Sequence, residues 1–253
     1  MLVALVCANA VWANRTSDTD GRFDANLLQV EEGRFLGQQV PDVSVVTESG
    51  TKALSELIAG KPTILLMAYY SCGHSCPATI HNLSQMKIDA QDSDYQVIVL
   101  SFDANDTIAN MQNAMSTIGQ VPDNWTFGLL AQEQSTRLTD SLGYKFFYSE
   151  QEQTFVHPAV LVFLSPEGKV MRYLYGNEPR AQDVELALVE SRNRAPHLNE
   201  IVEMIKLTCF QFDASKSRYR IHPTIVLGGA GFGVLGLVGL VTLVSRKDSK
   251  GGQ

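Results

Sequence analysis

Thr63-Ile-Leu-Leu-Met-Ala-Tyr-Tyr-Ser-Cys72-Gly-His-Ser-Cys76-Pro77 is the stretch on which the reading of this chain turns. The run Thr63–Tyr69 is rich in aliphatic and aromatic residues and reads as a buried strand. Pro77 suits the first turn of a helix, where a missing N–H costs nothing. The two cysteines therefore stand where a strand passes into a helix. Unpaired backbone N–H groups at a helix start favour negative charge, so thiolates are stabilised there. Thiols spaced as Cys72 and Cys76 can close a disulfide, or open around a soft metal ion held between two sulfurs.

The rest of the composition excludes several classes. The chain has 253 residues, 45% apolar and 19% charged, which fits one good-sized core with appendages and rules out wholesale disorder. A net charge of −7, with no basic cluster interleaved with aromatics, argues against a nucleic-acid partner.

Both ends carry membrane signals. Residues 1–13 (MLVALVCANAVWA) read as the apolar core of a secretory signal peptide with small-x-small sites ending at Ala10 and Ala13, although the usual basic start is missing. A lipoprotein role for Cys7 is disfavoured by the bulky Val6 before it. Ile225–Val244 carries no charge and is followed by Arg246 and Lys247. About 20 apolar residues span a bilayer, and the basic flank assigns the C-terminus to the cytoplasm. The six glycines from Gly228 to Gly239 would be costly in a helix of a soluble core. The expectation is a transmembrane helix over 223–245, a cytoplasmic tail over 246–253, and a globular part facing a bacterial periplasm from the inner membrane. In that oxidising setting paired thiols need a disulfide, a metal or a reductant.

Between the ends, strands and helices alternate. Val43–Val46 and the Glu48-Ser49-Gly50 turn suggest a lead-in hairpin, followed by a helical turn at Leu54–Ile58. After the cysteine motif a helix is expected to about Ile88. Gln96–Phe102 and Trp125–Leu130 read as strands, and Thr107–Ile118 and Glu133–Leu142 as helices stopped by Gly119 and Gly143. Ala159–Leu164 and Val170–Tyr175 flank Ser165-Pro166-Glu167-Gly168, a hairpin signal. Arg180–Val189 and Leu198–Leu207 are further helices, the second within a helical juxtamembrane segment over 191–222. This order gives an α/β fold, a thioredoxin-like mixed sheet covered by helices. A redox dithiol of the thioredoxin kind uses Cys-x-x-Cys, one residue shorter than the spacing here.

His157, in Phe155-Val156-His157-Pro158-Ala159, stands just before an apolar strand. In thioredoxin-like folds a cis proline commonly occupies this point and packs on the dithiol. With Pro158 in that slot, His157 lands beside Cys72 and Cys76. Two thiolates and one imidazole suit copper in either oxidation state, sulfur for Cu(I) and nitrogen for Cu(II).

Taken together, the strand–Cys-x-x-x-Cys-Pro–helix motif, Val99-Leu-Ser-Phe-Asp103-x-x-Asp106-Thr107, Leu142-Gly-Tyr144, and His157 ahead of Ser-Pro-Glu-Gly-Lys169 resemble the Sco/SenC copper-chaperone family. The resemblance covers residues 36–190. It implies one copper bound by Cys72, Cys76 and His157, and a part in assembling the binuclear copper centre of cytochrome c oxidase, whose copper-bearing subunit would be the partner, beside other periplasmic copper chaperones or thiol reductants. Arg172-Tyr-Leu-Tyr-Gly176, Cys209-Phe-Gln-Phe-Asp213 and the C-terminal span are similar to a bacterial branch with a tail anchor. The family loop usually reads Cys-Pro-x-x-Cys, whereas Gly73-His74 stands here. Glycine loosens the loop, and His74 reads as a loop histidine that tunes the thiols or as a fourth donor.

Other candidates carry less. His81 lies one turn beyond Pro77 and is expected to face solvent, and His197 and His222 fall outside the motif. Asp106 or Asn105 is expected to be a helix N-cap. Cys209 leaves an odd thiol in a chain whose leader is cleaved. A second function class is a membrane-anchored thiol–disulfide oxidoreductase using Cys72 and Cys76 as a redox pair. A third, a thiol peroxidase, wants a Thr and an Arg around one cysteine, and the loop offers neither.

Overall fold

In the computed structural model the run that opens the motif is strand β3 (Thr63–Ala68), with all six residues buried. The structure describes residues 29–71, 75–88, 94–150, 153–192, 210–213 and 218–221. The expected signal peptide, the helix Leu198–Leu207 and the membrane span Ile225–Val244 lie outside the described residues. Among those described, no helix is long and apolar enough to cross a membrane.

The lead-in hairpin is β1 (Ser44–Thr47) and β2 (Gly50–Ala53), preceded by the short helix α1 (Glu32–Phe35) and followed by α2 (Leu54–Ile58). Beyond β3 come α3 (Ser75–Ser84), β4 (Gln96–Ser101), α4 (Ile108–Ser116), β5 (Trp125–Leu129) and α5 (Gln132–Ser141). Two three-residue strands, β6 (Phe147–Ser149) and β7 (Thr154–Val156), precede β8 (Val160–Leu164), β9 (Val170–Tyr175) and α6 (Ala181–Ser191). One seven-stranded sheet runs in the order β2-β1-β5-β4-β3-β8-β9. Strands β3, β4 and β5 are parallel, and β8 runs antiparallel to β3. The mixed sheet is as expected, and its centre reads as continuous apolar runs because helices cover both faces. The parallel pairs require the crossovers that α3 and α4 supply.

The sheet register positions the site. Thr63 pairs with Leu164 and Leu66 with Leu161, so each step along β3 is a step back along β8. The ladder ends at Leu66 and Leu161, and a few residues beyond its end the Tyr69 ring meets the His157 imidazole at 5.8 Å. The histidine thus arrives beside the chain just before Cys72, although about 85 residues of sequence separate them.

Beyond α6, Phe210–Asp213 and Arg218–Ile221 pair as an antiparallel hairpin, β10 and β11, where a helical segment was expected. Tyr219 fastens it to α6. Its backbone N–H donates to Asp183 at 2.8 Å and its hydroxyl to Glu190 at 2.7 Å, while Glu190 takes two bonds from Arg172, at 2.7 and 2.8 Å. Burial beside the Glu190 carboxylate pushes the Tyr219 phenol well above its ordinary range, so it remains a donor.

Candidate functional site

Three anchors hold the chain entering the cysteine motif. Tyr70, 7% exposed, points its ring into the sheet. Its hydroxyl reaches the carbonyls of Val99 and Gly128, at 2.8 and 2.9 Å, and accepts from the Gly128 N–H at 3.2 Å. Gly128 must be glycine for β1 to close on β5, because a Cβ there would stand 2.2 Å from Val45 Cγ1. Burial raises the Tyr70 phenol far above its usual range and keeps it protonated for this role.

Asp106 is the second anchor. Its carboxylate accepts from the backbone N–H groups of Tyr70 and Ser71 at 2.6 and 3.2 Å, and from the hydroxyls of Ser71 and Ser101 at 3.0 and 2.5 Å. The expectation that Asp106 or Asn105 caps the next helix is therefore corrected. Thr107 is the cap of α4: its side chain accepts from the Asn110 N–H while Asn110 Oδ1 accepts from the Thr107 N–H. Relieved of capping, Asp106 ties the end of β3 to the end of β4. Asp103 makes a local turn instead, accepting from the Asn105 N–H at 2.9 Å.

The third anchor is α3 itself. Cys76 is the second residue of this helix, within its first turn. Cys72 and His74 lie outside the described residues, as do Cys209, His197 and His222. His81 is exposed, as expected.

Near the end of β3, His157 is held by its Nδ1, which lies 2.9 Å from the Tyr144 hydroxyl and 3.2 Å from the Pro158 carbonyl oxygen. Tyr144 is 4% exposed, and its hydroxyl also lies 3.3 Å from the Met67 carbonyl on β3. The imidazole meets the rings of Phe102 and Tyr69 edge-on at 5.4 and 5.8 Å. Phe155 packs edge-on against both of those rings, and the hydroxyls of Tyr69 and Thr154 are hydrogen-bonded. The small β6–β7 hairpin thus builds the wall behind the histidine. Pro158 follows, but no peptide bond among the described residues is cis, which corrects the expected cis proline.

His157 opens into a shallow pocket it shares with Met67, Ala68, Thr79 and Asn177. Thr79 is three residues beyond Cys76 on α3, so their positions fall on one helix face. Among the described residues no group of three or more His, Cys, Asp or Glu could hold a metal. Sequence reasoning singled out His157 and the motif but missed the roles of Tyr70, Asp106 and Tyr144. Tyr144 was within reach only as part of Leu142-Gly-Tyr144.

Residues 33–188 match the family model described as SCO1/SenC. A crystal structure of a candidate electron transfer protein from Aquifex aeolicus VF5 is 28% identical, with a TM-score of 0.58, covering 64% of this chain and 99% of that one. A candidate electron transport protein from the same organism is also 28% identical, with a TM-score of 0.54, covering 62% of this chain and 98% of that one. A SCO1/SenC family lipoprotein from Bacillus anthracis is 18% identical, with a TM-score of 0.54 and coverage of 62% and 96%. No curated protein matches the chain.

Proposed function

The chain belongs to the SCO1/SenC family, and from that premise we propose that it is a copper metallochaperone, holding one copper ion as cargo on Cys72, Cys76 and His157. The observation that carries this reading is the placement of His157. Its imidazole meets the ring of Tyr69, three residues before Cys72, and it is held through Nδ1 in the manner of a histidine whose other nitrogen serves a metal. The donor set fits the cargo, since two thiolates satisfy Cu(I) and the imidazole adds the nitrogen that Cu(II) prefers. Asp106 and Tyr70 hold the approach to Cys72. The recipient in this reading is the copper-bearing subunit of cytochrome c oxidase, whose binuclear centre the ion would fill. The test is copper content of the purified chain beside Cys72→Ser/Cys76→Ser. About one copper per wild-type chain and none in the variant supports the assignment, and equal content in both contradicts it.

A second reading is a thiol–disulfide oxidoreductase that reduces the oxidase subunit's cysteines before metal enters. The two Aquifex aeolicus proteins at 28% identity, candidate electron carriers, favour a redox element. It separates from the first at His157, because dithiol exchange needs no imidazole. If His157→Ala keeps full reductase activity towards an oxidised dithiol while losing Cu(II), both activities reside in the site; if it loses neither, His157 is not a copper ligand.

We place the globular domain in the periplasm, anchored in the inner membrane by Ile225–Val244 with Arg246 and Lys247 inside, on the charge-free span and its one-sided basic flank. Protease added to intact spheroplasts is expected to digest the domain and leave a short protected tail. Digestion only after lysis would refute this orientation.

A further inference from the structure

We propose that Tyr144 is a positioning residue that fixes the tautomer of His157, keeping the proton on Nδ1 and the electron pair on Nε2. The argument runs through the acceptors around Nδ1. The Pro158 carbonyl, 3.2 Å away, can only accept, so a lone pair on Nδ1 would face a lone pair on oxygen. A proton on Nδ1 turns that approach into an attraction. It also gives Tyr144 a donor, at 2.9 Å. The Tyr144 hydroxyl then spends its own proton on a carbonyl, that of Met67 or that of Pro158, each 3.3 Å away. Each contact named here then pairs a donor with an acceptor. In the opposite tautomer the tyrosine donates to Nδ1, and the Pro158 carbonyl is left against an unprotonated nitrogen.

The same hydroxyl couples the two halves of the site. Tyr144 follows α5, His157 precedes β8, and Met67 lies on β3, the strand that runs into the cysteine motif. A single buried hydroxyl therefore links the imidazole to the backbone of β3, the strand that leads towards Cys72. The ring of Tyr144 stacks near the imidazole, with centroids 6.3 Å apart, and Tyr69 and Phe102 close it in edge-on. The imidazole is held in both position and tautomer before any ligand arrives. The consequence for copper rests on the chaperone reading: Nε2 is presented with its electron pair ready, and uptake requires no proton shift on the ring. The tautomer itself does not depend on that reading.

The test begins with the metal-free full-length chain, 15N-labelled at histidine and observed at about pH 8.5, where imidazole is neutral. The His157 signals are identified by their loss in His157→Asn. In the wild type the proton is expected on Nδ1. In Tyr144→Phe the Nδ1–H form is expected to give way to a mixture with Nε2–H. Phe146→Leu trims the same aromatic cluster, where Phe146 packs 4.3 Å from Phe102, without touching the hydroxyl; it is expected to match the wild type. A wild-type proton on Nε2 overturns the proposal even if Tyr144→Phe does not fold. An unchanged tautomer in Tyr144→Phe overturns it too, as does an equal shift in Phe146→Leu. With copper, Tyr144→Phe is expected to bind Cu(II) about tenfold or more weakly, with Cu(I) affinity little changed. Should the wild type take up no copper at all, the chaperone reading fails, and the tautomer still decides this proposal.

Discussion

His157→Ala is expected to weaken Cu(II) binding by about a hundredfold or more while leaving Cu(I) binding largely intact. Losing an outer partner of a metal ligand typically costs about 10–100-fold, so losing the ligand itself should cost at least as much. The two ions divide because two thiolates alone can satisfy a soft Cu(I), whereas Cu(II) is left one nitrogen short. The effect should be local. His157 is only part-buried at the mouth of a pocket, and the rings behind it, Tyr69, Phe102 and Phe155, pack on one another without it. Competition titrations with Cu(I)- and Cu(II)-selective chelators measure the two affinities. Equal losses for both ions would mean that the histidine serves the fold and not the metal.

Asp106→Ala is expected to be among the most damaging single substitutions in the domain, costing about 3 kcal/mol of stability. Its carboxylate, 9% exposed, satisfies two backbone N–H groups and two hydroxyls, and buried donors left unpaired cost about 1–3 kcal/mol each. The N–H and hydroxyl of exposed Ser71 will find water, so the sum of about 3 kcal/mol comes chiefly from the buried Tyr70 N–H and Ser101 hydroxyl. Asp106→Asn retains one oxygen and should lose roughly half as much. Urea unfolding of the three proteins gives the comparison. The alanine variant should also retain copper less well, because the residues it frees, Tyr70 and Ser71, directly precede Cys72. A midpoint unchanged by Asp106→Ala would show that the four hydrogen bonds do not hold this corner.

The central elements were legible because each carries a strong local signal. The apolar run of β3 and the strands and helices through β5, α3 excepted, lie within a residue or two of their expected ends. Helix α3 stops at Ser84 and not at Ile88. There the Ser84 hydroxyl turns back to the His81 carbonyl at 2.8 Å and the Met86 N–H bonds to Leu83, closing the last turn early. The β6–β7 hairpin gave no warning, since three-residue, half-buried strands have no readable period. The β10–β11 hairpin escaped for a related reason: its order comes from Tyr219 bonding to Asp183 and Glu190 on a distant helix, which no local pattern announces.

The site divides along the same line. The cysteine motif and His157 are visible as residue types at telling positions in the chain. Asp106 looked like a cap because it precedes a helix, and only the Thr107–Asn110 pairing shows that the cap is elsewhere. Tyr144 joins His157 and Met67 across 13 and 77 residues of sequence, so its part is set by sheet register and packing alone.

X-ray absorption at the copper edge of the metal-loaded chain tests the central claim most directly, because it counts the atoms around the ion. Two sulfurs in the Cu(I) form, and two sulfurs with one imidazole nitrogen lost in His157→Ala in the Cu(II) form, are the predicted result. A copper shell with no sulfur, or one unchanged in Cys72→Ser/Cys76→Ser, would contradict it.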